Sequence, residues 1–471
     1  MAYSDHFVVA TDLDPTDAGE LVSELELMRA AVASSMFAER HDPPARAQVV
    51  AFRDRGAFEE LAPAGAAAYF ALGRSESKIV LPGALGTAQR RVLAHEMAHH
   101  VAAYVLLRQP RWLSEGLATW AETLGATGGG RRMTLGGVPD GHRPLTRPRR
   151  VPASQLLAWD ADVPAGRLAD HYDAAWLLVH YLTSQHPGAL RDLERRLNGA
   201  EDPEVAFREA FPQWDPRRPG ALDALDGELD DWARSGRFDP RPVTAEASVR
   251  VSERPLPSAE VHAIRLLLWG GRARGEGDDE AWRREVEEAL AEDPAHPVVL
   301  RVLAAHDGRD PLPLARAAVA AHPGDARAWT FLGVALPPRS PERAPALQRA
   351  AELAPDDAAV LEALSRALLE EERSGEALPP ARRAVQLAPY SATALDAYAA
   401  VAADLGQCGQ ALLAARRALD VLTPEVPSQD RGALERRLAG YRERCASPPA
   451  EGDPRPAGPG EPAPPARGPG G

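Results

Sequence analysis

Ala94-His95-Glu96-Met97-Ala98-His99-His100, followed by Trp112-Leu113-Ser114-Glu115-Gly116-Leu117-Ala118, decides how the first half of this chain is read. His95 and His99 are four residues apart, which on an α-helix stacks their imidazoles on one face about a turn apart. Two neutral ring nitrogens at that spacing reach one metal ion at the roughly 2.0–2.1 Å of a Zn–N bond. Glu96 lies one step round the helix, placed to take a proton from metal-bound water without ligating the ion. The helix is expected from Thr87 to about Leu106, a stretch free of Pro and Gly and rich in Ala, Leu, Val and Arg. Thr87 reads as its N-cap, although Arg90 stands where a capping box places Glu or Gln. Leu93, Met97, Val101 and Tyr104 recur on the side away from the histidines and read as the core-facing stripe.

A catalytic zinc wants three protein ligands and one open position. Glu115 follows His99 after fifteen intervening residues, on an expected second helix from Trp112 to about Leu124. Gln109-Pro110 breaks the chain between the two helices, because proline disfavours helix in the residue before it. The turn returns Glu115 towards the histidines. Surface histidines and an exposed helical Glu are the bland readings of the same residues.

With these two segments the chain resembles the gluzincin metallopeptidases, specifically the compact peptidase-MA-like group. The resemblance covers roughly residues 6–236, and its specific part is 92–122. It implies His95, His99 and Glu115 as ligands of one Zn²⁺ per chain, and Glu96 as general base. Glu122 matches a further acidic position in aminopeptidase-N-type relatives, where a bond to a ligating His is expected; a solvated Glu fits equally well. The resemblance also implies an oxyanion donor downstream of the third ligand, with Tyr172 as first choice and His171 as second, against simple packing at a helix start. Tyr181 falls deeper in the apolar run and reads as core. Ser77-Lys78-Ile79-Val80-Leu81, closed by Pro82-Gly83, reads as an edge strand. In the family the corresponding edge pairs with an extended peptide, while a purely structural strand is equally compatible. The amino-terminus grip of the aminopeptidases, Gly-x-Met-Glu-Asn, is absent, and only about ninety residues precede the motif, so aminopeptidase specificity is not implied.

Composition bounds the rest. At 471 residues and 45% hydrophobic content, the chain makes two or three domains with substantial cores. A net charge of −14 argues against nucleic acid as the main partner. No apolar run approaches the roughly 20 residues of a membrane span. The N-terminus lacks a basic-then-apolar leader pattern, so the sequence as it stands reads as cytoplasmic, or as exported if a leader precedes it. Strands are expected at His6–Ala10, Ala47–Phe52, Ala68–Leu72 and Lys78–Leu81, with helices at Thr16–Phe37 and Ala57–Leu61. The Gly- and Arg-rich stretch from Gly125 to Arg150 reads as a loop or hairpin over the cleft. Its cationic character would favour acidic substrates, and a solvated loop fits the same residues. Further helices are expected at Ala153–Trp159, Leu168–Ser184, Gly188–Leu197 and Ala221–Ser235.

The expected architecture is an α+β metallopeptidase-like domain over 1–236, with a small mixed sheet and active-site helices, and then a linker at 237–257. Beyond it the sequence repeats itself. Pro294, Pro323, Pro355 and Pro389 each close an Ala-rich helix and lie 29, 32 and 34 residues apart, approaching a helix-turn-helix solenoid period. Residues 258–445 thus look like tetratricopeptide repeats, an all-α array that usually binds proteins or peptides. The tail, 446–471, is dominated by Pro, Gly and Ala and is expected to be disordered. Cys408 and Cys445, the only cysteines, fall in the same terminal unit. A disulfide in an oxidising compartment and two free thiols in a reducing one fit these counts equally. Two functions follow: a zinc peptidase acting on protein or peptide substrates with repeats for a protein partner, or a repeat scaffold carrying an inactive peptidase-like domain.

Overall fold

Phe7-Val8-Val9-Ala10-Thr11 and Ala47-Gln48-Val49-Val50-Ala51-Phe52 are rich in β-branched and apolar side chains, and both become central strands. The computed structural model describes residues 1–37, 44–62, 66, 68–72, 77–83, 85–127, 132–142, 144, 146, 149–159, 163–245, 249–269, 278–422 and 428–446. The sequence-expected disordered tail beyond 446 and the glycines Gly128–Gly130 lie outside the described residues.

The N-terminal half runs β1 (Ala2–Tyr3), β2 (Phe7–Thr11), α1 (Pro15–Met36), β3 (Ala47–Phe52), α2 (Arg55–Leu61), β4 (Tyr69–Leu72), β5 (Ser77–Pro82), α3 (Thr87–Val105) and α4 (Arg111–Ala121). It continues with β6 (Gly125–Thr127), β7 (Arg132–Leu135), α5 (Ala153–Leu157), α6 (Leu168–Gln185), α7 (Pro187–Asn198), α8 (Pro203–Ala210), α9 (Ala221–Ser235), β8 (Arg241–Val243) and β9 (Ser252–Glu253). The main sheet is mixed, in the order β4-β5-β3-β2-β1-β9. β2, β3 and β5 are parallel, and β4 pairs antiparallel with β5 through Tyr69↔Val80 and Phe70↔Ile79. β5 is therefore an interior strand, contrary to its reading as an edge, and β4 is the edge. Pro82 sits at the last position of β5, so its missing N–H does not interrupt the ladder.

Period-2 alternation assigns the two faces of this sheet to two different cores. Phe7, Val9, Val49, Ala51, Ile79 and Leu81 point into the larger core, with α1, α3 and α6. Ala10, Val50, Phe52 and Val80 point the other way. They are covered by α2 and by helices from the second half, α10 (Ser258–Trp269), α11 (Asp278–Glu292) and α12 (Pro297–Asp307), through Leu266, Trp269 and Trp282. The region continues as α13 (Pro311–Ala321), α14 (Ala326–Ala335), α15 (Arg343–Leu353), α16 (Ala358–Glu370), α17 (Ser374–Leu387), α18 (Ala392–Asp404), α19 (Cys408–Asp420) and α20 (Ser428–Ala446). Asp310, Asp325, Asp357 and Ser391 cap α13, α14, α16 and α18 by accepting from backbone N–H groups.

The helical region also returns to α3. The Tyr104 hydroxyl donates to the Leu387 carbonyl at 2.7 Å, and Arg108 Nε donates to Asp420 Oδ2 at 2.7 Å. Tyr104 thus leaves the apolar stripe expected of it, while Leu93, Met97 and Val101 are buried in the core as expected. The stretch read as a linker is tied down at two points: β8 pairs with β7, and β9 pairs with β1. Pro242 is tolerated because β8 is an edge strand of the small sheet β6-β7-β8. The Arg-rich loop is anchored at its end, where buried Arg150 donates to Asp226 Oδ1 at 2.8 Å and Asp230 Oδ1 at 3.1 Å.

α4 and α6 cross so closely that a Cβ on Gly116 would lie 2.6 Å from Val179 Cγ2 and 2.7 Å from the Ala175 carbonyl oxygen. Backbone cannot yield as a side-chain tip does, so Gly116→Ala is expected to cost about 1–3 kcal/mol, read as a lower denaturation midpoint. An unchanged midpoint would remove this contact as a constraint. Cys408 and Cys445 form a disulfide joining the start of α19 to α20. Intact mass of the unreduced protein should be two hydrogens below the reduced form, and reduction should make α20 the first site of limited proteolysis. Two alkylatable thiols in the unreduced protein would contradict the bond.

Candidate functional site

The site is built from three helices. α3 supplies His95, Glu96 and His99, α4 supplies Glu115, and the start of α6 supplies Tyr172. α3 begins at Thr87, where the sequence places the start of the helix. Gly86, not Thr87, is its N-cap, with no side-chain cap bond. Gln89, at the third helical position, folds back over Gly86, where a Cβ would sit 2.7 Å from Gln89 Oε1. Shifting the cap by one residue places a Gln where the capping box wants it.

His95 Nε2 and His99 Nε2 are 3.2 Å apart, and Glu115 Oε2 lies 3.4 Å from His99 Nε2 and 3.7 Å from His95 Nε2. Ligands about 2.0–2.1 Å from a tetrahedral ion are spaced about 3.3 Å from one another. These three atoms could therefore hold one small divalent cation. Glu115 Oε2 is buried and makes no well-formed hydrogen bond among the described residues, so the two imidazoles are its company. Burial alone would raise the Glu115 carboxyl, but facing His99 and His95, with Arg111 nearby, it is held below the ordinary glutamate range.

Both imidazoles are oriented from behind. His95 Nδ1 donates to Glu122 Oε1 at 2.9 Å, and His99 Nδ1 and Ser114 Oγ share a hydrogen bond at 3.1 Å. The Glu122 carboxylate only accepts, so it fixes the His95 tautomer that leaves its Nε2 lone pair facing the shared point, and Ser114 holds the pose of the His99 ring. Glu122 in turn accepts from Arg91 Nη2 at 3.0 Å. Burial opposes ionisation of Glu122, but His95 and Arg91 outweigh it and keep its carboxyl below the ordinary range. Glu96 is half-buried and forms no ion pair or hydrogen bond among the described residues, which leaves its carboxylate available as a base.

Tyr172 approaches edge-on, its ring centroid 6.4 Å from that of His95. It packs at 5.7 Å against Trp159, and the Arg111 guanidinium lies 4.7 Å over the Trp159 ring. His171 turns elsewhere: it is buried, its Nδ1 donates to the Arg167 carbonyl at 2.9 Å, and its ring lies 5.1 Å from Trp159. Of the sequence-named residues, His95, His99, Glu115, Glu122 and Tyr172 converge, and His171 does not join them. Tyr181 is buried, with its hydroxyl donating to Glu228, away from the site.

Sequence reasoning missed Arg91, Ser114, Arg111 and Trp159. Arg91 and Arg111 stand one turn before His95 and Glu115, a spacing that could have flagged them. Trp159 carries no such signal, since only the fold brings it near. A second His/Glu cluster, His262, Glu285 and Glu288, reads as an ion-pair network, because Arg265 Nε already occupies Glu285 Oε1 at 2.8 Å.

No protein-family model and no curated protein matches this chain. The site must therefore be judged on its own geometry. Glu122→Gln keeps the shape but removes the charge that orients His95. Its Zn²⁺ affinity, measured by competition with a chromophoric chelator, should fall about 10- to 100-fold. An affinity equal to that of the parent would remove Glu122 from the site.

Proposed function

We propose that this chain is a zinc-dependent peptidase of the gluzincin type, hydrolysing internal peptide bonds, joined to tetratricopeptide-like repeats that bind a protein partner. The observation that carries this reading is the triangle of His95 Nε2, His99 Nε2 and Glu115 Oε2, with sides of 3.2, 3.4 and 3.7 Å. A free carboxylate, Glu96, stands on the same helix. A Zn²⁺ bound there would polarise a water molecule and lower its pKa. Glu96 accepts the proton of the attacking water and carries it to the leaving amine. Tyr172, whose ring lies 6.4 Å from that of His95, supports charge on the oxygen of the attacked carbonyl. Glu122 and Ser114 hold the imidazoles so that neither rotates during the reaction.

An extended protein or peptide substrate fits this reading. β4 is the outer strand of the main sheet among the described residues, so its outer edge can add a strand from a substrate. No amino-terminus grip was found in the sequence, which favours cleavage within a chain. For the repeats, paired Ala-rich helices at a near-34-residue period support a protein-binding role. The alternative, a scaffold with an inactive peptidase-like domain, finds little support in a site that keeps three ligand atoms, a base and both orienting bonds. No helix among the described residues is long and apolar enough to cross a membrane.

The test is paired. The purified chain should hold one Zn²⁺ and cleave an unfolded protein, and Glu96→Gln should keep the Zn²⁺ while kcat falls by roughly 10²–10⁴. Equal turnover in the two forms would overturn the mechanism, and a parent protein without Zn²⁺ would favour the scaffold.

A further inference from the structure

A long cleft opens where α1 passes the N-terminal turn of α3 and the segment after β7. It encloses about 1220 Å³, above the usual size of a small-molecule pocket. One wall is α1 from Pro15 to Leu27; twelve helical steps make that wall about 18 Å long. A chain in extended form covers about five residues over such a distance.

The lining has two characters. Val138 and Val251 are two of the four most exposed large apolar side chains among the described residues, and both lie in this cleft, beside Leu27 and Met133. An apolar surface left open in this way marks a contact site. Among the described residues the charged lining is unbalanced: Glu20, Glu24, Glu122 and Asp140 face Arg90 and Arg91. Arg90 is spent on Glu24, and Arg91 is divided between Glu122 at 3.0 Å and Asp140 Oδ2 at 3.6 Å. Glu20 is exposed and makes no ion pair among the described residues, and the Asp140 side chain is 73% exposed. Two carboxylates are left in excess along an apolar trough.

The cleft lies against the proposed metal site on the side from which His95 is oriented. Glu122 lines it and also accepts from His95 at 2.9 Å. Arg91 lies one helical turn before His95, so cleft and metal ligands are about 6 Å apart along the helix. Arg150, part of the cationic loop expected to attract acidic substrates, is consumed in a buried ion cluster with Asp226 and Asp230. Among the described residues of the loop, Asp140 is the charged side chain that lines the cleft.

We propose that this cleft is an extended subsite for the polypeptide substrate, taking a segment of about five residues that alternates apolar and basic side chains. The apolar side chains lie on Val138, Val251 and Leu27, and the basic ones meet Glu20 and Asp140. This rests on the peptidase reading, and it extends it from the reaction to the substrate class.

The test uses the full chain carrying Glu96→Gln, so that binding is read without turnover. Three fluorescently labelled peptides of equal length alternate Val with Arg, Gln or Glu, and anisotropy titrations give their affinities. The Arg peptide should bind at least about tenfold tighter than the Glu peptide, with the Gln peptide between, and the gap should shrink with added salt. The double variant Glu20→Lys/Asp140→Lys should abolish the preference while leaving the Gln peptide's affinity and the denaturation midpoint unchanged. Equal affinities for the three peptides, or a preference that survives the double variant, would overturn the subsite. The peptidase reading is measured separately, by turnover of an unfolded protein with and without Glu96→Gln. Turnover without a charge preference sinks only the subsite, and a charge preference without turnover sinks only the peptidase.

Discussion

The arrangement of this molecule depends on how closely α4 and α6 can approach at Gly116. The absence of a side chain there lets the Ala175 carbonyl and Val179 come within 2.7 Å of where a Cβ would stand. Because α6 fits so tightly, Glu115, the preceding residue, is turned to the opposite side, towards His95 and His99. The same contact fixes where α6 begins, and hence where Tyr172 meets His95. A site assembled from three helices is only as accurate as their crossings, and packed backbone does not drift as a loop does.

Around that crossing, charge is handed outward in a line. Glu115 faces the two Nε2 atoms, Glu122 and Ser114 hold the two Nδ1 atoms, Arg91 holds Glu122, and Asp140 shares Arg91. Each acceptor is buried less than the one before it, so each ionised group is partly compensated by a neighbour nearer solvent. Orienting bonds of this kind set the pose of a ligating imidazole as firmly as backbone does. The line ends in the cleft, which makes Arg91 common to the inner site and to the surface beyond it.

Much of this was written locally in the chain. The four-residue spacing of His95 and His99 and the Pro110 break act through short-range geometry, and they appear where they were expected. The repeat helices were legible for the same reason, since their prolines and capping acids recur. What was not legible depends on contacts distant in sequence. β5 read as an edge strand because nothing near it announces that β4 folds back beside it. Tyr104 followed the apolar period of α3, yet it bonds to Leu387, far along the chain. Thr87 was a plausible cap until Gln89 is seen lying over Gly86. One clue to the largest surprise was present: Val49-Val50-Ala51-Phe52 is apolar at every position, as in a strand buried on both faces. Such a strand demands a second covering layer, and only the tertiary structure shows that the repeat helices provide it.

That two-sided burial has a consequence for synthesis. Val50, Phe52 and Val80 precede α10 by at least about 180 residues, and a ribosome adding 5–20 residues per second takes roughly ten to forty seconds to cross that interval. For that time the second face of the sheet has only α2 to cover it. The nascent chain must wait, shielded or unpaired, until its own distal helices arrive. α10–α12 thus complete the first core begun, so a truncation that removes them would be felt at the N-terminal sheet.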